Sequence, residues 1–131
     1  MATEHEIDSA VHGQHAELEI AGFSMAETLD RLGGDLDLFR DILGMVPRVA
    51  GDSLGKFDAA VARGDHVGAA AAAHAMRGMA TTIGATTLAD AAEVVERAMM
   101  SSSADVNQIE TFRRNASEML HAVEKFLGQG A

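Results

Sequence analysis

The sequence predicts an all-α protein: an antiparallel four-helix bundle with one or two short N-terminal helices. Three observations point there. Apolar residues recur at spacings of three and four through most of the chain, and few segments alternate with period two. The periodic stretches are separated by short Gly-, Asp- and Ser-containing breaks, which turn successive helices back on one another. The apolar set is Leu, Ile, Val, Met and Ala, with five Phe and neither Trp nor Tyr.

Bulk properties narrow the function. At 131 residues the chain reads as one domain able to bury a core without staples. Its formal net charge of −10 makes nucleic acid a poor partner. Cys is absent, which excludes disulfides and thiolate chemistry. The acidic start, Met1 to Asp8, is unlike a signal peptide. The apolar run from Val67 to Ala73 is far shorter than the roughly 20 residues that span a bilayer. The expectation is a cytoplasmic protein with no membrane partner.

Residues 1–20 read as a tail or short helix, with a weak helical pattern from Ile7 to Ile20 interrupted by Gly13. The bundle domain spans 21–131. Ser24-Met25-Ala26-Glu27 has capping-box spacing, which predicts a helix from Met25 to Leu32 that Gly33-Gly34 ends. Asp35 is the next N-cap, with Asp37 in the first turn. Leu36, Phe39, Leu43, Val46, Ala50, Leu54 and Phe57 form one stripe. Pro47 interrupts it, and the continuing stripe favours one kinked helix from Leu36 to Arg63 over two helices meeting near 47–52. Gly64 is the stop.

Asp65 caps the following helix and Gly84 closes it. Thr87 is the expected cap of the next, whose inward face is Leu88, Ala91, Val95 and Ala98. Ser101-Ser102-Ser103 is a linker. A last helix from near Asp105 carries Ile109, Phe112, Ala116, Leu120, Val123 and Leu127, and Gly128 and Gly130 end it. Met76, Met79, Met99, Met100 and Met119 read as core filler. Glu118 and His121 form a Glu-x-x-His pair, but no second such pair exists to complete a di-metal centre. His5, His12 and His15 read as part of a polar tail.

The stretch from His74 to Ala85 is the most informative. On a helix, His74, Arg77, Gly78 and Thr81 share one face, because residues three and four apart are neighbours. Met76, Ala80 and Ile83 lie roughly opposite, with Ala72 and Ala73 one turn earlier. One side can be buried while the other presents an imidazole, a guanidinium and a gap.

This stretch resembles the histidine-containing phosphotransfer (HPt) family. The family's signature is a His followed at three and four positions by Lys and Gly, with another Gly ten positions after the His. Here the pattern reads His74, Arg77, Gly78 and Gly84. Gly33-Gly34-Asp35 and Gly64-Asp65 also look like the family's, and the likeness is specific from about Gly22 to Arg97. Arg77 departs from the usual Lys, and a planar guanidinium holds phosphate differently from an ammonium. Glu96 stands twenty-two positions after His74, where stand-alone members often carry Gln and chemotaxis-kinase members carry Glu bonded to the imidazole.

The resemblance implies a four-helix bundle whose exposed His74 exchanges a phosphoryl group with response-regulator receiver domains or a sensor or hybrid histidine kinase. It implies a monomeric phosphocarrier of a two-component system, without kinase or ATPase activity of its own. No cofactor is bound; Mg²⁺ comes with the partner receiver domain. Arg77 is then the phosphate stabiliser, Gly78 the docking clearance, and Glu96 the candidate imidazole partner that selects the tautomer. The alternatives are an HPt-like adaptor that binds a receiver or kinase without carrying phosphate, and a metal-binding bundle.

Overall fold

The computed structural model describes residues 22–128, and its fold is all-α. The expectations for 1–20, including His5, His12 and His15, lie outside the described residues. Among the described residues six helices follow one another: α1 (Met25–Arg31), α2 (Leu36–Gly44), α3 (Val46–Ala62), α4 (His66–Ile83), α5 (Thr86–Met100) and α6 (Val106–Gly128). Helices α3 to α6 form the bundle. Within it α4 packs on α3 and α5, and α6 closes the ring by packing on α5 and α3.

Local chemistry sets most of the boundaries. Asp35 accepts from the Leu38 N–H at 3.0 Å and Asp65 from the Gly68 N–H at 2.8 Å, so both act as side-chain N-caps. The Gly68 amide, and secondarily Arg63, hold the Asp65 carboxyl below its ordinary value of 3.8. A carboxylate depressed in the folded state stabilises it above that ordinary value, and this support is lost as pH falls through the lowered one. Gly84 closes α4 at φ +81°.

Two boundaries and two caps differ from expectation. The long helix is not one kinked rod: it is interrupted at Met45, between α2 and α3. Pro47 falls in the first turn of α3, where its missing N–H would have had no helical partner anyway. The capping box at Ser24 does not form, because no backbone amide bonds its side chain. Its backbone is used instead: the Ser24 N–H donates to the Gly84 carbonyl at 2.6 Å, beside an isolated bridge between Phe23 and Ala85. Thr87 lies inside α5, whose N-cap is Ala85. The start of α6 carries a reciprocal cap that the sequence reading missed. Asp105 accepts from the Gln108 N–H at 2.8 Å, and the Gln108 side chain accepts from the Asp105 N–H at 3.0 Å.

All five Phe are buried. Phe57 of α3 meets Phe112 of α6 edge-on at 4.8 Å between centroids, and Phe39 of α2 meets Phe126 of α6 at 5.9 Å. The inward face of α4 is almost entirely small: Ala69, Ala70, Ala72, Ala73 and Ala80, with Met76 and Ile83. On α5 the buried set is Leu88, Ala92, Val95, Ala98 and Met99, so Ala91 is only half-buried. On α6 the stripe is turned toward Met119, Ala122 and Phe126, leaving Ile109, Leu120 and Leu127 at the core's margin. Met76, Met99 and Met119 fill the core as expected, Met79 packs against it, and Met100 is exposed.

The segment around the start of α1 is tied to the α4–α5 corner. Thr86 Oγ1 donates to the Gly22 carbonyl at 3.0 Å, and buried Thr28 donates to the Ser24 carbonyl at 2.8 Å. A Cβ on Gly84 would collide with the Thr28 hydroxyl, at a backbone angle that side chains rarely adopt. Gly51, mid-helix in α3, has nothing within 4 Å of a Cβ. We therefore expect opposite signs in a urea denaturation series. Gly84→Ala should destabilise by about 1–3 kcal/mol, whereas Gly51→Ala should stabilise by up to about 1 kcal/mol.

Candidate functional site

Helix α4 presents its outward face because its inward face is the alanine stripe that seats it between α3 and α5. His74 lies midway along that outward face, with 62% of its side chain exposed. Neighbouring α5 brings Glu96 across to it: His74 Nδ1 and Glu96 Oε2 are 2.9 Å apart. An ionised carboxylate can only accept, so the contact assigns the ring proton to Nδ1 and leaves Nε2 with its lone pair. Glu96 is 23% exposed, partly enclosed while the ring is open.

Arg77, one turn after His74, lies on the same side of the ring as Glu96. Its Nη2 is 3.3 Å from His74 Nδ1 and its Nε 3.7 Å from Glu96 Oε1. With Nδ1 donating to Glu96, that nitrogen has no lone pair to offer the guanidinium. The Arg77–imidazole contact is therefore electrostatic, and the Nη2 protons beside the ring stay available to another acceptor. The sequence-based role for Arg77 was contact with a phosphate. At rest its guanidinium lies between the ring and the carboxylates of α5.

Gly78 follows on the exposed face, and a Cβ there would meet nothing within 4 Å. No neighbour among the described residues requires a glycine at this position, despite its cost of about 1 kcal/mol in a helix interior. The gap therefore faces outward. Thr81 is likewise exposed, and its carbonyl accepts from Arg31 of α1 at 3.4 Å.

Two residues at the site escaped the sequence reading. Glu93 Oε1 pairs with Arg97 Nη2 at 2.7 Å and lies 4.0 Å from Arg77 Nη1. Glu93, Glu96 and Arg97 share one face of α5 by their i, i+3 and i, i+4 spacing. Extending the reading of Glu96 by one turn in each direction would have found them. Arg77, Arg97, Glu93 and Glu96 thus form a linked, charge-balanced patch beside the imidazole on a chain of net charge −10. Glu118 and His121 are exposed on α6, and among the described residues no group of three or more His, Asp or Glu could hold a metal ion.

Comparison with known proteins adds one positive finding. A family model described as Hpt domain matches residues 24–129. No curated protein and no solved structure matches the chain significantly.

The geometry makes a spectroscopic prediction. With Glu96 in place, long-range ¹⁵N–¹H NMR should find the neutral His74 ring mainly as the Nδ1–H tautomer. In Glu96→Gln the amide can donate or accept, so the population should move toward Nε2–H. An unchanged tautomer ratio would mean that Glu96 does not set it.

Proposed function

Because the chain belongs to the Hpt domain family, we propose that it is a phosphorelay intermediate. In this reading His74 accepts a phosphoryl group from one two-component signalling protein and passes it to another. The observation that carries it is the pairing of an exposed imidazole with a carboxylate on one ring nitrogen only. The partners are response-regulator receiver domains and a sensor or hybrid histidine kinase. We place the protein in the cytoplasm as a monomer; no helix among the described residues is long and apolar enough to cross a membrane.

The chemistry follows from the tautomer. The Nε2 lone pair attacks the phosphorus of a receiver's aspartyl phosphate. The N–P bond forms as the aspartyl O–P bond breaks, and the carboxylate leaves with the electron pair. No proton has to depart. The ring keeps its proton on Nδ1 and becomes cationic, and Glu96 Oε2 at 2.9 Å stabilises that charge where it develops. Onward transfer reverses these steps, so one site serves both directions.

Arg77 supplies the second electrostatic element. A transferring phosphoryl group offers several anionic oxygens, and the Nη2 protons can turn to one of them as a charge-assisted hydrogen bond. Mg²⁺ belongs to the receiver's acidic site. This chain provides no nucleotide-binding loop in its sequence, consistent with a carrier rather than a kinase. Gly78 leaves the space in which the receiver's surface approaches the ring.

Two experiments test the reading. Radiolabelled phosphoryl groups on a receiver should move to the wild-type protein and not to His74→Gln. Equal labelling of that variant would refute the carrier role, and normal signalling by it would favour an adaptor that binds without carrying phosphate. Gly78→Leu should retain the helical circular-dichroism spectrum yet slow transfer from a receiver by about ten-fold or more, the scale of a misplaced reacting pair. Labelling by phosphoramidate, which needs no docking, should change far less.

A further inference from the structure

Arg77 and Arg97 compete for one atom. Glu93 Oε1 is 2.7 Å from Arg97 Nη2 and 4.0 Å from Arg77 Nη1. The first distance is a close ion pair; the second is a loose one. Arg77 is also drawn by Glu96 Oε1, which is buried without a hydrogen-bond partner and lies 3.7 Å from Arg77 Nε. The guanidinium is thus suspended between two carboxylates and the ring, bonded tightly to none.

We propose that Arg97 is a positioning residue for Arg77: by engaging Glu93 it keeps that carboxylate's pull weak enough for Arg77 to reach the phosphoryl group. The proposal rests on the phosphocarrier reading of His74. Arg97 occupies Glu93 Oε1 and neutralises most of its attraction. Without Arg97, the nearest cation to that oxygen is Arg77, and closing the 4.0 Å gap draws the guanidinium along α5 and away from the ring. A phosphoryl group arriving on Nε2 then has to compete with a full ion pair for the same donors. Among the described residues the partners of the His74 ring are Glu96 and Arg77, so Glu93 and Arg97 act on it through Arg77.

The test uses phosphoramidate, whose P–N bond breaks to release ammonia as the His74 N–P bond forms, with no protein partner involved. Arg97→Gln should lower the phosphorylation rate constant roughly two- to five-fold, the size of one partly exposed ion pair, and less at high salt. Adding Glu93→Gln to that variant should restore the wild-type rate, because the competing carboxylate is gone. A merely structural role would not be rescued by removing a second residue. Arg97 is 80% exposed, so helicity should be unchanged throughout. An Arg97→Gln rate equal to wild type, or a double variant as slow as the single one, would overturn the positioning role. Failure of wild type to exchange phosphate with any receiver, while phosphoramidate still labels His74, would instead overturn the carrier reading.

Discussion

The separation between α4 and α5 is the constraint on which the site depends. Helices pack some 8–10 Å apart according to the side chains between them, and here those are mainly small. Ala72, Ala73 and Ala80 on one helix and Ala92 and Ala98 on the other are buried. That close seating lets a glutamate on α5 reach an imidazole on α4 at 2.9 Å. Larger residues in the seam would push Glu96 out of range and leave the ring to choose its own tautomer. The core therefore sets a distance as well as a stability.

The same constraint fits the placement of the paired aromatic rings elsewhere. Phe57 and Phe112 fill the space between α3 and α6, and Phe39 and Phe126 fill that between α2 and α6. Arg40 stacks over Phe126 at 5.2 Å and bonds the Leu127 carbonyl at 2.9 Å, fixing the end of α6. These ring pairs lie away from the α4–α5 seam. The α4–α5 side carries the candidate site and the aromatic side anchors it.

What was legible in the sequence was whatever acts locally. Asp35, Asp65, Gly64 and Gly84 mark helix ends through their own backbone and side-chain chemistry, and each stands where that chemistry places it. The face holding His74, Arg77 and Gly78 follows from helical spacing. Ser24 misled because its backbone is engaged by Gly84, sixty residues away in the fold's corner, and no local pattern encodes that pairing. Pro47 misled because a stripe continuing across a break looks the same as one crossing a kink. The link between Glu93, Arg97 and Arg77 was invisible for a related reason: half of it is spacing along α5, but the other half is the distance to α4.

The exposure of the ring has a consequence in time rather than in affinity. A phosphoryl group on Nε2 would stand among water molecules as well as partners, because the surrounding side chains grip the ring from the Nδ1 side. Its lifetime would then be a contest between hydrolysis and encounter, decided by how much receiver is nearby. A site of this shape suits a message that fades when no recipient is present.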